Sequence, residues 1–145
     1  VLIANTSGYY NVGVGHQTLQ SNLSGNNNIG LGYIALSANT TGYSNIGIGR
    51  SAINWNQTGN YNIGIGEQTL ERLTGNTSNN IAIGFGAGPS SLIEESNKLY
   101  IASGSGTPLI KGDFAAKTVN ITGALTATSF TGSLLGTSSP AGSTT

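Results

Sequence analysis

The stretch Asn45-Ile-Gly-Ile-Gly49, followed 17 residues later by Asn62-Ile-Gly-Ile-Gly66, decides how this chain is read. Upstream, Asn28-Ile-Gly-Leu-Gly32 and Asn11-Val-Gly-Val-Gly15 keep the same interval of 17, and downstream Asn80-Ile-Ala-Ile-Gly84 follows after 18. A glycine precedes each copy, at Gly8, Gly25, Gly42, Gly59 and Gly75. An apolar residue trails the first four, at Leu19, Leu36, Ile53 and Leu70. In-phase copies at a fixed period are the signature of a repeat architecture, in which each unit buries its apolar face by stacking on its neighbours.

Within a copy the alternation has period two, the mark of a strand. One face carries Val12, Val14, Ile29, Leu31, Ile46, Ile48, Ile63, Ile65, Ile81 and Ile83, which are read as the structural core of the repeat. The other face carries Asn and Gly, and glycine inside a strand marks close approach of another backbone. With no helix-length connection between copies, the expected architecture is a β-solenoid or β-roll of 17-residue coils. Its strands stack in a parallel ladder about 4.8 Å apart, and its asparagine amides bond from coil to coil. The return path reads His16-Gln-Thr-Leu19, Tyr33-Ile-Ala-Leu36, Arg50-Ser-Ala-Ile53 and Glu67-Gln-Thr-Leu70. The spacing of Leu19 with Leu23 and of Leu70 with Leu73 predicts one helical turn there. Ser24-Gly25, Thr41-Gly42, Thr58-Gly59 and Thr74-Gly75 then supply the turns into the next strand.

The second half changes character. Asn97–Ala102, Pro108–Lys111 and Thr118–Thr122 read as short strands between glycine-rich turns. Thr122-Gly-Ala-Leu125 and Thr131-Gly-Ser-Leu134 form an echo nine residues apart. The organisation is therefore a repeat β-roll over 1–88, a β-rich shaft or connector over 89–135, and a flexible tail of Ser, Thr, Gly, Ala and Pro over 136–145.

Composition narrows the function classes. Of 145 residues, 23 are Gly and 17 each are Asn, Ser and Thr, while charged residues number five of each sign. A neutral chain lacks the electrostatic footprint for a phosphate backbone or an anionic membrane, so neither nucleic acid nor membrane is an expected partner. There is no Cys, which excludes disulfides and thiolate metal sites. No run of apolar residues is long enough for a membrane helix. Val1–Ala4 lack the pattern of a signal peptide, and the missing initiator Met points to a fragment or a processed chain. One His, one Asp and four Glu leave little acid–base chemistry, so no catalytic residue, cofactor or metal is expected. Each coil offers only about four apolar side chains against the entropy of ordering 17 residues. Association of several copies, apolar ladders inward, is the expected remedy. Residues 1–49 carry no Asp, Glu, Lys or Arg, so an exposed sheet edge there invites aggregation.

The Asn-Ile-Gly-Ile-Gly copies with their intervening Ala/Thr-Leu and Thr-Gly resemble the repeats of trimeric fibrous proteins, such as bacteriophage tail fibre shafts. More distantly they are similar to the β-roll heads of trimeric autotransporter adhesins, whose Asn-Ser-Val-Ala-Ile-Gly coils Asn79-Asn-Ile-Ala-Ile-Gly84 most nearly matches. Lys98-Leu-Tyr-Ile, Pro108-Leu-Ile-Lys-Gly-Asp-Phe114 and Val119-Asn-Ile-Thr-Gly-Ala-Leu125 resemble the region that follows such repeats in phage fibres, and Thr131–Thr137 their next segment. The resemblance implies an all-β homotrimer, a virion or extracellular location, and other fibre proteins as partners. The function it implies is that of a spacer presenting a host-receptor-binding tip. The alternatives are a surface adhesin or extracellular filament subunit, and a solenoid that binds ice or polysaccharide.

Individual residues have bland readings beside sharp ones. The glycines sit inside strands and precede no helix, so they are not phosphate loops. His16 shares its repeat position with Tyr33, Arg50 and Glu67, which marks an exposed site rather than a metal ligand. Glu67, Glu71 and Arg72 read as a solvated return segment, and Glu94, Glu95 and Lys98 as a surface loop. Lys111, Asp113 and Lys117 read as a surface pair or an inter-chain charge cluster. Tyr33, Tyr43, Trp55 and Tyr61 are candidates for contact with a host glycan, with Tyr9 and Tyr10 in similar slots. The Asn-x-Ser/Thr triplets at Asn5, Asn22, Asn39, Asn56, Asn76 and Asn120 are read as consequences of composition.

Overall fold

Each strand of the repeat is three residues long because a glycine ends it. In the computed structural model, which describes residues 1–89, 91–104, 106–126 and 129, Gly15, Gly32, Gly49 and Gly66 follow the strands with φ between 124° and 132°. A Cβ built on Gly32 would stand 2.6 Å from the Gly49 carbonyl oxygen, so stacking itself requires glycine here. The strands are β1 (Val12–Val14), β2 (Ile29–Leu31), β3 (Ile46–Ile48), β4 (Ile63–Ile65) and β5 (Ile81–Ile83). Beyond them lie β6 (Lys98–Ile101), β7 (Ile110–Asp113) and β8 (Thr118–Ile121). All eight join one sheet in chain order. β1 to β6 pair in parallel, giving a β-solenoid of five turns, and β6, β7 and β8 form an antiparallel meander. The parallel ladder thus runs past residue 88 into β6. The Thr131–Leu134 echo and the 136–145 tail lie outside the described residues.

The predicted helical turn does not form; among the described residues there is no helix. Instead Gln17 and Leu19, Ile34 and Leu36, Ser51 and Ile53, and Gln68 and Leu70 adopt left-handed backbone, with φ between 49° and 59°. Such a conformation costs a non-glycine residue about 1–2 kcal/mol. The return is hydrogen bonding along the axis. Leu36 N–H donates to Ala52 O at 2.9 Å, while Ile34 N–H donates the other way, to His16 O at 2.9 Å. A helical turn would spend these groups within one coil and leave the neighbours unpaired.

The coil is thin. The inward position of successive strands is Gly30, Gly47 and Gly64, then Ala82, then Tyr100. A Cβ on Gly64 would lie 2.9 Å from Ile53 Cγ1, so the strand backbone packs directly on the return segment. The buried cluster is Leu19, Leu36, Ile53, Leu70, Leu73, Ala82, Ala87 and Tyr100. Tyr100 fills the interior where the coil gives way to the meander.

Asparagine completes the interior. Asn28, Asn45, Asn62 and Asn80 are fully buried and stack one per coil. The Asn45 Oδ1 accepts from the Asn62 backbone N–H at 3.0 Å and from its Nδ2 at 3.1 Å. The Asn45 Nδ2 donates to Asn28 Oδ1 at 3.2 Å and to Gly59 O at 2.8 Å. The column ends where Lys98 N–H donates to Asn80 Oδ1 at 2.9 Å. Replacing Asn45 by Ala strands several buried partners, each worth roughly 1–3 kcal/mol when unpaired. We expect a loss on the order of 3 kcal/mol in urea unfolding, whereas Gln57→Ala, at an exposed position, changes the midpoint little.

Candidate functional site

Because Asn and Gly occupy the inward positions, the alternate residues of each strand must point out of the coil. Val12, Ile29, Ile46, Ile63 and Ile81 stand in register in one column, and Val14, Leu31, Ile48, Ile65 and Ile83 in a second. Leu99 and Ile101 extend both. Within one chain these ten residues are therefore not the interior. Val12 is 48% exposed, Val14 60%, Ile65 41% and Ile83 43%, and the other six are half-buried. The outward placement has a steric cause: a coil closed against glycine has no room for a second layer of aliphatic side chains. The result is a continuous aliphatic stripe along the outside of the solenoid, of the kind that marks an interaction surface.

The aromatic candidates separate into different columns of the repeat. Tyr43 and Tyr61 meet edge to face with ring centroids 5.1 Å apart, and Tyr9 and Tyr10 do the same at 5.1 Å. Tyr61 holds the Tyr43 phenol above its ordinary ionisation range by hydrogen bonding and charge repulsion. Tyr33 instead stacks on His16 at 5.6 Å, and Trp55 stands 53% exposed in a return segment. Below Tyr33 in the same column, Arg50 and Glu67 form an exposed ion pair at 2.5 Å, a contact that contributes little to stability. Among the described residues no group of three His, Cys, Asp or Glu gathers as a metal site.

Charge concentrates where the parallel coils meet the meander. Lys98 Nζ lies 2.7 Å from Asp113 Oδ2, directly across the β6–β7 pairing. Lys111 lies 3.4 Å from Glu95, and its Nζ sits 5.5 Å from the Tyr100 ring centroid. The Tyr100 hydroxyl donates to Glu95 Oε2, and burial together with this contact pushes its ionisation well above the ordinary value. Lys111 and Asp113 thus each pair with a different partner of their own chain. An open hollow of about 410 Å³ beside them is lined by Gly88, Pro89, Tyr100, Thr107, Pro108 and Lys111.

One set of residues was not singled out from the sequence. Asn5, Asn22 and Asn39 form a second amide column, with Asn22 Nδ2 on Asn5 Oδ1 at 2.8 Å and Asn39 Nδ2 on Asn22 Oδ1 at 2.7 Å; Asn56 takes the next repeat position but donates to Gly59 O instead, leaving Asn39 Oδ1 unpaired among the described residues. Their spacing of 17 was the available signal, hidden because the same residues head Asn-x-Ser/Thr triplets. Tyr100, the interior plug, lies 18 residues after Ala82 as Ala82 lies 18 after Gly64, a signal hidden by the change of residue type. With this geometry in hand, comparison with protein-family models, curated proteins and solved structures finds no match.

The charged junction carries a pH prediction. The hydrogen bond from Lys98 holds the Asp113 carboxyl below the usual aspartate range, helped by the backbone N–H of Ala116 and Ala115. A depressed folded-state value means the contribution is complete above about pH 4, the unfolded value, and fades as pH falls through the folded one. Urea midpoints measured from pH 7 downward should drop below about pH 4 in the native chain. The variant Asp113→Asn should start lower at neutral pH and lack that component of the drop. Superimposable acid profiles would contradict the assignment.

Proposed function

We propose that the chain is a structural fibre segment in which copies bury their aliphatic columns against one another along a common axis. The observation that carries this reading is the pair of outward columns from Val12 and Val14 to Ile81 and Ile83. A stripe of ten aliphatic residues, in a part of the chain almost without charge, is stable in water only when covered. A second copy presents the same periodicity, so rungs match rungs along the full length. Three copies is the number implied by the resemblance to tail fibre shafts. In that role the segment spaces and presents a host-receptor-binding tip within a bacteriophage tail fibre. The meander of β6, β7 and β8 is formed by the sequence that resembles the region following such repeats in phage fibres.

Sedimentation equilibrium tests the reading. The native chain of 14.6 kDa should run at three times its monomer mass. The pair Ile46→Asp and Ile48→Asp puts two carboxylates on the stripe, where burying them unpaired is costly. This variant should dissociate, while Tyr33→Asp, on a separate exposed column, should not. A native chain that is folded and monomeric at high concentration would refute the assembly.

A further inference from the structure

We propose that the solenoid edge bearing Tyr9, Tyr10, Tyr43 and Tyr61 is a binding platform for an extended, uncharged polysaccharide lying along the axis. This goes beyond the fibre reading, because the edge occupies repeat positions outside the strands, two and three residues before the first aliphatic column.

Two adjacent repeat positions build the edge. From coil to coil they read Tyr9-Tyr10, Asn26-Asn27, Tyr43-Ser44, Asn60-Tyr61 and Ser78-Asn79. Tyr9 is 57% exposed, Tyr10 80%, Tyr43 39% and Tyr61 54%. Tyr9 with Tyr10 and Tyr43 with Tyr61 meet edge to face, which leaves open ring surface in each pair, and apolar rings with a polar edge suit the C–H faces of sugars. The rings are held by their backbone. Tyr9 N–H donates to Asn26 Oδ1 at 3.0 Å, and Tyr43 N–H to Asn60 Oδ1 at 2.9 Å. Tyr61 N–H donates to Tyr43 O at 3.2 Å. Tyr10, Asn27, Ser44, Tyr61 and Asn79 all share left-handed backbone, with φ between 55° and 60°. The platform is therefore assembled before any ligand arrives, which lowers the ordering cost of binding.

Chemistry and spacing define the ligand. No charged side chain stands in either position over these five coils, which disfavours anionic sugars. Asn26 and Asn60 engage only their Oδ1 atoms among the described residues, leaving Nδ2 groups between the rings for hydroxyl or acetamide oxygens. The rise per coil, about 4.8 Å, is close to the length of one pyranose unit in an extended β-1,4-linked chain. One sugar per coil brings ring contacts at the first coil and again at the third and fourth, with amide contacts between.

The test titrates cellohexaose and chitohexaose separately into the assembled native protein by calorimetry. We expect saturable binding of at least one. Tyr43→Ala combined with Tyr61→Ala should weaken it by about tenfold or more, and the highly exposed Tyr10→Ala should weaken it less. Phe85→Ala, which removes an exposed ring outside the edge, should leave it unchanged. Sedimentation of each variant accompanies the titration. Binding of neither hexasaccharide, or equal binding by the double variant, overturns the proposal. So does dissociation of the assembly by the tyrosine substitutions, which would make the edge a contact between copies.

Discussion

Hydrogen bonding parallel to the solenoid axis is the constraint from which the rest follows. Among the described residues, many backbone groups outside the strands are satisfied one coil away, as in Leu19 N–H to Ala35 O and Gly32 N–H to Val14 O. This demands that each coil repeat its neighbour's path closely. The left-handed residues of the return segment, unfavourable singly, are the way the chain aims its N–H and C=O groups up and down rather than around. The asparagine columns extend the same logic to side chains. Asn28, Asn45 and Asn62 act as extra peptide groups in the stack, each both donating and accepting.

A stack closed this tightly has little apolar interior. Among the described residues, buried polar side chains are as numerous as buried apolar ones. The strand backbone rests on the return segment through glycine, leaving Leu19, Leu36, Ile53 and Leu70 as the thread of the core. The same thinness turns the aliphatic members of each strand outward. Inside and outside are thus two consequences of one choice, and the proposed assembly of copies rests on the outer one.

Much of this was legible from the period alone. The strands, their parallel stacking and the amide column follow from Asn-x-Gly-x-Gly recurring every 17 residues, because identical residues in register must meet. Which face of the strand looks inward was not legible. Period-two alternation separates Ile29 and Leu31 from Asn28 and Gly30 without saying which pair the coil can accommodate. The return segment was misread for a related reason: Leu19 and Leu23 have helical spacing, yet inter-coil bonds to Ala35 and Thr40 outweigh one isolated turn. Of the candidates Tyr33, Tyr43, Trp55 and Tyr61, Tyr43 and Tyr61 come together, and their partnership across coils depends on the one-residue offset between their repeat positions.

The series Gly64, Ala82, Tyr100 at the inward strand position has a further consequence. Four near-identical coils slide over one another almost without penalty, so a chain made only of them possesses several alignments of equal energy. The 18-residue interval before β5 and the growing side chains after it destroy that translational degeneracy. They act like the differently cut teeth at the end of a rack: only one offset of coil on coil lets everything mesh.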